Sequence, residues 1–257
     1  MIPKDRVWPD GTQTLGRGLC LLQAVSEGHR SLPALVAHVG YTRSTTQRLV
    51  AALVQGRWLW QLPGDTFSLG PRFLELAQRA QEDDPMTVLA RPILRELGAK
   101  TRDTIHLGIR VEDEVLYLDK VNSQRGLEMR SRIGQRMPLA LTGIGRALLL
   151  DDDKTEWRRL YRHAAAKGAP PGPWLERMRA YRDSGCVFDL EDNEMGINCV
   201  AAALRNGRGR IVAAISVASA TAYLPRTRME ELSPLVLKAA ETISRQMGWK
   251  GQVRDVA

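Results

Sequence analysis

Cysteine and histidine are scarce in this sequence, and neither is spaced as a metal site or a disulfide framework requires. The three cysteines and four histidines are Cys20, Cys186, Cys199, His29, His38, His106 and His163. The number of cysteines is odd and no pair forms a CxxC motif, and the histidines form no HExxH motif. These absences argue against a zinc finger, and we predict neither a metal site nor a cofactor.

Long hydrophobic runs are also absent. Residues 1–14 are polar and lack the apolar core of about 7–15 residues that a signal peptide needs. No uninterrupted apolar run approaches the roughly 20 residues that cross a bilayer as a helix. The sequence therefore predicts a cytoplasmic protein with no membrane partner. We expect residues 1–14 to be a flexible N-terminus and residues 251–257 a short tail.

Acidic residues are missing from a long segment near the start of the chain. Residues 28–64 contain no aspartate or glutamate, although 26% of the chain is charged and its net charge is +8. The same segment carries the four arginines Arg30, Arg43, Arg48 and Arg57. A basic, acid-free surface of this length suits the phosphate backbone of DNA. A basic protein without a DNA role is the alternative, because net charge alone informs about association and solubility.

The acid-free segment and its flanks have the pattern of a winged helix-turn-helix domain. The predicted elements are a helix over 16–27, a second helix that ends before Gly40, a third that ends near Gln55, and strands at 58–62 and 66–69. Ser31 and Thr42 can cap the second and third helices, and Pro63-Gly64-Asp65 can form the turn of the hairpin. Three helices followed by a hairpin predict a winged helix-turn-helix domain over residues 15–70.

The third predicted helix carries the candidate DNA contacts. A buried stripe with the spacing i, i+3, i+4, i+7 is formed by Thr46, Leu49, Val50 and Leu53. The opposite face and the N-terminal end of the helix offer Arg43, Ser44, Thr45, Gln47 and Arg48. Arginine can bind guanine or a phosphate, glutamine can pair with adenine, and hydroxyl groups bond phosphates or base edges. The solvated face of an ordinary amphipathic helix is the alternative.

The rest of the chain mixes strands with helices. A helix at about 71–81 leads to the acidic, proline-ended segment 82–85, where we place the domain boundary. Beyond it, helices are predicted at 88–101, 143–150, 154–163, 174–184 and 229–247. Strands are predicted at 104–110, 114–120, 127–132, 186–188, 198–204 and 210–218, and a Gly/Pro-rich loop at 168–173. This mixture predicts an α+β sensor-type domain.

Two ordered sets of motifs resemble those of a known family. The first set is Gly18-Leu19-x-Leu-Leu, Leu35-Val36-Ala37-x-x-Gly40, Arg43-Ser44-Thr45-Thr46-Gln47-Arg48-Leu49 and Phe67-Ser68-Leu69-Gly70. The second set is Gly134-x-x-x-Pro138-Leu139-x-x-Thr142-x-x-Gly145-Arg146-Ala147-Leu148-Leu149 and Gly185-Cys186-Val187-x-Asp189-x-Glu191-Asp192-x-x-x-Gly196-Ile197-x-Cys199-Val200-Ala201. In this order, over about residues 15–249, the motifs resemble the IclR family of transcriptional regulators.

The resemblance implies a two-domain regulator of fold class α+β. It assigns residues 15–70 to a winged helix-turn-helix domain and 71–84 to a linker helix. It assigns residues 85–250 to a GAF-like effector-binding and oligomerisation domain, with an antiparallel sheet flanked by helices. The implied partners are a double-stranded DNA operator, a small organic acid (aromatic, sugar-derived or short-chain) and further copies of the chain. By motif position, the effector pocket is lined by Gly143, Ile144, Asp189, Cys199, Ser216 and Ala218.

The sequence departs from the family pattern at four positions. The usual lysine, glutamate, proline and hydroxyl-bearing residue are replaced by Arg146, Asp192, Ala203 and Ala218. Ala218 removes one hydroxyl donor for a carboxylate or hydroxyl ligand, so the effector specificity of relatives does not transfer. The backbone amides of 142–145, at a predicted helix N-terminus, suit a carboxylate ligand. A tight turn without a ligand is the alternative for this stretch.

The expected function is a DNA-binding transcription regulator that is not an enzyme. An enzyme with an accessory basic N-terminal domain is the alternative, with Asp189 and Glu191 as an acid–base pair or Cys199 and His106 as a nucleophile pair. An architectural DNA-binding module without a ligand is a third hypothesis. Both the choice between repressor and activator and that between dimer and tetramer stay open.

The second part of the chain also carries a basic cluster, which consists of Arg125, Arg130, Arg132 and Arg136. This cluster faces either an acidic effector or solvent.

Overall fold

Two folding units make up the structure. The computed structural model describes residues 8–126, 129–165 and 169–251. The chain divides between Asp83 and Asp84 into an N-terminal unit and a C-terminal unit, each with its own hydrophobic cluster. None of the helices in the three described ranges combines the length and the apolar character needed to span a bilayer.

The N-terminal unit consists of three helices, a β-hairpin and a further helix. Its elements are α1 (Gln13–Ser26), α2 (Leu32–Val39), α3 (Arg43–Gln55), β1 (Leu59–Leu62), β2 (Thr66–Leu69) and α4 (Arg72–Asp83). The two strands are antiparallel, with Leu59 opposite Leu69 and Leu62 opposite Thr66. This arrangement confirms the predicted winged helix-turn-helix fold.

The starts of α2 and α3 are fixed by side-chain caps. The Ser31 hydroxyl accepts a hydrogen bond from the Ala34 amide at 3.3 Å, and the Thr42 hydroxyl accepts one from the Thr45 amide at 3.3 Å. Each bond satisfies an amide that has no carbonyl partner in the first turn of a helix. Gly40 lies between the two helices with φ of +75°, which glycine adopts without a steric penalty.

The hairpin packs on the three helices as part of the same core. The buried cluster consists of Leu21, Leu22, Ala24, Val25, Leu35, Val50, Leu59 and Phe67. The Phe67 amide donates to the Arg30 carbonyl at 2.6 Å, and Ser31 forms a backbone bridge with Thr66. At the end of the hairpin, a Cβ on Gly70 would lie 2.2 Å from the Arg57 carbonyl oxygen. The hairpin is therefore bonded to Arg30 and Ser31 through β2 and lies close to Arg57 at its end.

The C-terminal unit is a six-stranded antiparallel sheet with helices packed against it. Its helices are α5 (Pro85–Thr101), α6 (Gly143–Leu148), α7 (Lys154–Ala164), α8 (Pro171–Ser184) and α9 (Arg226–Gln246). Its strands are β3 (Thr104–Val111), β4 (Glu114–Val121), β5 (Arg136–Pro138), β6 (Cys186–Leu190), β7 (Ile197–Arg205) and β8 (Ile211–Ala220). The strand order is β5-β4-β3-β8-β7-β6. The predicted α+β class is confirmed.

Side chains of β3 alternate between two helical environments. A Cβ on Gly98 of α5 would meet Ile105, whereas a Cβ on Gly108 would meet Ile144 of α6. His106 also faces Ile144, across a cavity. Because successive strand residues point to opposite faces, the pairing of β3 with β8 places polar groups of both strands beside α6.

Two of the predicted elements are wrong. Of the strand predicted at 127–132, Leu127 and Glu128 lie outside the described residues, and the remaining four residues form no strand. Their carbonyls are used otherwise, since the Lys120 ammonium donates to Met129 and Ser131 at 2.7 and 2.8 Å. The strand that pairs with the outer edge of β4 is β5 instead.

The loop predicted at 168–173 is wrong in its second half. Helix α8 begins at Pro171, and Gly168 lies outside the described residues. Proline is compatible with the first turn of a helix, where its missing amide would have no partner, so the Gly/Pro content did not mark a loop there.

We predict that Gly70→Ala destabilises the N-terminal unit by about 1–3 kcal/mol, because the new methyl group overlaps the Arg57 carbonyl. Hydrogen exchange of the hairpin amides in the full-length protein measures the loss. Gly18→Ala is the matched control, since a Cβ there meets nothing within 4 Å, and it should stabilise α1 by about 0.5–1 kcal/mol. Equal protection of the hairpin in both variants would contradict the packing described for Gly70.

Candidate nucleic-acid interface and ligand pocket

The five predicted DNA contacts lie together on the N-terminal half of α3. Arg43, Ser44, Gln47 and Arg48 are exposed, and Thr45 is half-buried. Thr46, directly behind them, is fully buried and its hydroxyl donates to the Thr42 carbonyl at 3.1 Å. The helix therefore presents two guanidinium groups, an amide and hydroxyl groups on one accessible face.

A cleft of about 340 Å³ lies between the N-terminal parts of α1 and α3. It is lined by Thr14, Arg17, Thr45, Arg48 and Leu49. Arg17 stacks over the Tyr41 ring, with its guanidinium carbon 5.5 Å from the ring centroid. Two arginines and two hydroxyls without a carboxylate in the lining suit a phosphate group. Sequence reasoning missed Thr14 and Arg17, because only the packing of α1 against α3 brings them beside Arg48.

The six predicted effector residues line a single cavity of about 90 Å³ in the C-terminal unit. They come from the start of α6 (Gly143, Ile144), from β6 and β7 (Asp189, Cys199) and from β8 (Ser216, Ala218). The lining also includes His106, Arg130 and Thr142, which the sequence had pointed to in other contexts. Sequence reasoning missed the remaining polar or aromatic lining residues, which are Tyr117, Ser131, Gln135, Asn193 and Glu194.

Strand register brings the cavity residues together. Asp189 lies opposite Cys199 and Cys199 opposite Ala218, so the three form a row across β6, β7 and β8. His106 lies opposite Ser216 on the neighbouring pair. These pairings join residues up to 110 positions apart in the chain.

Gly143 allows α6 to approach the sheet closely. A Cβ at this position would lie 2.9 Å from the Cys199 sulfur and 3.2 Å from the Asp189 Cβ. A larger residue would push the start of α6 away from β6 and β7. The cavity therefore depends on glycine at this position, independently of any ligand.

A histidine–tyrosine stack forms one wall of the cavity. The His106 and Tyr117 rings lie 4.7 Å apart at 24°. His106 shares hydrogen bonds with the hydroxyls of Ser131 (Nε2, 2.7 Å) and Ser216 (Nδ1, 3.4 Å). Burial, and then the charge of Lys120, lower the pKa of His106 to about 3. The imidazole is neutral at physiological pH, so one of its nitrogens donates while the other accepts.

Family models match both units of the chain. The model described as "IclR helix-turn-helix domain" matches residues 14–63, and the model described as "Bacterial transcriptional regulator IclR C-terminal" matches residues 79–245. The chain belongs to the IclR family of bacterial transcriptional regulators.

Individual relatives agree with this assignment. The HTH-type transcriptional regulator KdgR of Escherichia coli (strain K12) is 29% identical over 252 residues, which cover 94% of this chain and 95% of that protein. A crystal structure of a putative transcriptional regulator from Rhodococcus sp. RHA1 has a TM-score of 0.80 at 23% identity, covering 91% and 98% of the two chains. An IclR homologue from Microbacterium hydrocarbonoxydans, complexed with 4-hydroxybenzoate, has a TM-score of 0.74 at 18% identity over 91% and 98%.

Two departures from the usual IclR-family pattern form one buried ion-pair network. Arg146 is fully buried, and its Nη2 lies 3.1 Å from Asp189 and 2.9 Å from Asp192. Arg177 binds Asp192 through both of its terminal nitrogens at 2.8 Å. Burial raises the pKa of Asp189, although the charge of Arg146 acts to lower it. Burial also acts on Asp192, but the Arg177 hydrogen bonds and Arg146 lower its pKa below the ordinary value.

The residues of the alternative enzyme hypothesis have structural roles in this IclR-family chain. Glu191 is exposed, and its carboxylate accepts the Gly196 amide at 2.6 Å within the loop. Asp189 accepts the Asp192 amide at 3.0 Å and lies beside Arg146. Both carboxylates therefore hold backbone or charge partners, which does not support an acid–base pair.

The nucleophile pair of the alternative enzyme hypothesis, Cys199 and His106, is also unsuited to catalysis. Cys199 and His106 line the same cavity, and Ser216 lies within hydrogen-bonding distance of each. Burial raises the pKa of the Cys199 thiol to about 12. With the pKa of His106 at about 3, both groups are neutral at physiological pH. A neutral thiol is a poor nucleophile.

The predicted basic cluster separates into different environments. Arg125 pairs with buried Asp103 at 2.7 Å, and Arg136 pairs with Glu114 at 3.2 Å. Arg132 is exposed, whereas Arg130 lies at the cavity. Of the four arginines, Arg130 is the one that lines the described pocket.

The backbone amides of 142–145, predicted to suit a carboxylate ligand, are partly occupied, since the Thr142 hydroxyl accepts a hydrogen bond from the Gly145 amide at 3.1 Å.

We predict that acid destabilises the C-terminal unit through His106. The lowered pKa means that the unfolded chain takes up a proton below about pH 6.5 while the folded chain does so only near pH 3. Stability is therefore retained above pH 6.5 and lost as the pH falls, by about 2 kcal/mol between pH 7 and pH 5. Urea unfolding at the two pH values measures this difference.

His106→Gln should remove most of this dependence, since glutamine does not titrate. His163→Gln, which replaces an exposed histidine, should leave it unchanged. The assignment to His106 is wrong when His106→Gln and the wild type lose the same stability on acidification.

Proposed function

We propose that this IclR-family regulator binds a specific operator through α3 and changes its operator affinity when a small organic acid occupies the C-terminal cavity. The single observation that carries the proposal is the exposed, carboxylate-free face of α3 with the adjoining Arg17–Arg48 cleft. A DNA-binding regulator of this kind acts in the cytoplasm, where bacterial DNA lies. The names of its relatives describe regulators, which supports a regulatory and not an enzymatic role.

The two parts of the DNA interface are assigned different tasks. Arg48, with Arg17 across the cleft, holds a backbone phosphate and fixes the position of the helix. Arg43, Ser44 and Gln47 are exposed on the same half of α3 and are placed to contact base edges. Thr45 lines the cleft and adds a hydroxyl to the phosphate site.

We predict that Arg48→Ala weakens operator binding at least about tenfold, because one charge-assisted phosphate contact is lost. Fluorescence anisotropy on the intergenic DNA beside the gene measures the affinity at fixed salt, with scrambled DNA as competitor. Arg79→Ala is the matched control, since Arg79 is exposed on α4 outside the cleft. Equal operator affinities of the Arg48→Ala variant and the wild type would contradict the placement of α3 at the DNA interface.

The chemistry of the cavity supports a small carboxylic acid that also carries a hydroxyl group. Arg130 is exposed at the cavity and provides a cation for the carboxylate. Deeper in, Ser216 and Asp189 provide groups that bond a hydroxyl, between the His106–Tyr117 stack and Ile144. The bound 4-hydroxybenzoate of the homologue from Microbacterium hydrocarbonoxydans has both groups, although that protein is 18% identical.

We predict that Arg130→Gln weakens binding of the best acid at least about tenfold, since the carboxylate loses its charged partner. The probes are hydroxybenzoates and short hydroxy acids, ranked by thermal shift and then titrated calorimetrically. Arg132→Gln is the matched control, because Arg132 is an exposed neighbour that does not line the cavity. DNA affinity without acid should be the same in both variants. An unchanged dissociation constant in Arg130→Gln would place the carboxylate elsewhere.

Assembly of two or four copies completes the proposal. Helix α4 has no buried residue, and its Leu74 is 76% exposed. A dimer places two copies of α3 on a roughly palindromic operator. In this proposal, residues 15–70 bind DNA, residues 71–84 form a linker helix, and residues 85–250 bind the effector and form the oligomer.

A further inference from the structure

Two histidines and a glutamate converge at the end of α1 in the N-terminal unit. One possible ligand atom from each of Glu27, His29 and His38 lies within 4.8 Å of the other two. The His38 Nε2 is 3.6 Å from the Glu27 carboxylate, and the two imidazole rings stack 3.9 Å apart at 27°. No part of the DNA-contact face or of the ligand cavity includes these three residues.

The donor set is suited to a divalent transition metal. Imidazole nitrogen and carboxylate oxygen together favour zinc and its first-row neighbours, and three protein ligands leave a position for water. Metal–ligand bonds of about 2.0–2.2 Å in a tetrahedron place ligand atoms about 3.3 Å apart. The His38–Glu27 distance is already close to this value. The stacked rings of His29 and His38 must turn apart so that one nitrogen of each points at the ion.

The backbone holds these ligands in place. The Gly28 amide donates to Val25 and the His29 amide to Ala24, at 3.1 and 3.0 Å, which closes the end of α1 around Glu27. Gly28 has φ of +101°, the left-handed conformation that ends many helices. His38 lies in the last turn of α2, two residues before the Gly40 cap.

The ligands are also accessible. The side chains of His38 and Glu27 are 25% and 27% exposed, so an ion can enter without opening the core. The residue after His29 is Arg30, whose carbonyl binds the wing through Phe67. An ion at this point therefore acts on a segment that contacts α1, α2 and the hairpin.

We propose that Glu27, His29 and His38 bind one divalent transition-metal ion of the zinc class, which joins the end of α1 to the last turn of α2. The ion stabilises the DNA-binding unit, because it binds the folded arrangement of ligands and not the unfolded chain. This site departs from the prediction that the protein binds no metal. The spacing Glu-x-His-x8-His matches none of the ligand motifs considered, and only the capped end of α1 brings the residues together.

The test uses the full-length protein purified without a histidine tag and stripped with a chelator. Zinc is titrated by competition with a chromophoric chelator, and cobalt is added separately to record its visible absorption. We expect one zinc per chain, and an increase in melting temperature when zinc is added. His38→Gln and His29→Gln should weaken zinc binding by more than about a hundredfold, beyond the roughly 10–100-fold that loss of an indirect contact costs. Both should also lose the increase in melting temperature.

His163→Gln is the matched control, because it removes an exposed histidine outside the cluster and should bind zinc as the wild type does. Glu27→Gln provides a third variant, at an exposed position, in case a histidine variant is poorly folded by circular dichroism. Absence of saturable zinc binding by the folded wild type overturns the proposal. Zinc binding that is equal in the wild type and in Glu27→Gln and the folded histidine variants also overturns it. No DNA is present, so failure here leaves the operator proposal untouched.

Discussion

The antiparallel pairing of β3 with β8 is the contact on which the C-terminal unit depends. In the described sheet it joins the strands β5-β4-β3, from the first part of the unit, to β8-β7-β6 from its last part. Its register buries Ile105 and Val217 on one face and places His106 and Ser216 on the other. A slip by one residue would exchange these faces, burying the polar groups under α5 and dismantling the cavity. The cavity is therefore a direct consequence of the strand register.

The same face carries a buried guanidinium, and this constrains the residues around it. Moving a charge into the interior is costly unless counter-charges and hydrogen bonds accompany it. Arg146 meets two carboxylates, Asp189 and Asp192, and the Leu141 carbonyl at 2.9 Å. Arg146 is longer than the usual lysine of the family, and Asp192 is shorter than the usual glutamate. The two replacements together therefore span a similar distance. Asp189 is thus first a counter-ion, which limits how much of its charge is available to a ligand.

Sequence reasoning succeeded where the signals are local. Ser31, Gly40 and Thr42 occupy positions at which only a few residue types fit, and they mark the helix-turn-helix before any packing is known. The motif resemblance placed six residues, four on strands and two at the start of α6, that line one cavity. Those six residues and the five on α3 are the functional contacts that we propose.

The residues that sequence reasoning missed depend on long-range packing. Arg17 reaches Arg48 only through the packing of α1 on α3, and His106 reaches Ser216 across 110 positions. The strand wrongly predicted at 127–132 has a different cause. The residues of this segment do not reveal that Lys120, 9 and 11 positions before Met129 and Ser131, binds the carbonyls that a neighbouring strand would need.

The walls of the cavity differ in how they can respond to a ligand. The side formed by β3, β7 and β8 is fixed by ladder hydrogen bonds, whereas Ser131 and Glu194 lie in segments without regular structure. A ligand shifts an equilibrium only when it binds one arrangement better than another, so the irregular segments are the parts that can respond.

One of these segments is connected to the start of the unit by polar contacts. The Ser131 carbonyl binds the Lys120 ammonium, the Lys120 amide binds Asp119 at 2.9 Å, and Asp119 pairs with Arg91 of α5 at 2.9 Å. Helix α5 follows α4 directly in the chain. These contacts link Ser131 to α5, the element of this unit that is joined covalently to the DNA-binding part, so under the function that we propose α5 is the first helix to respond to a ligand at Ser131.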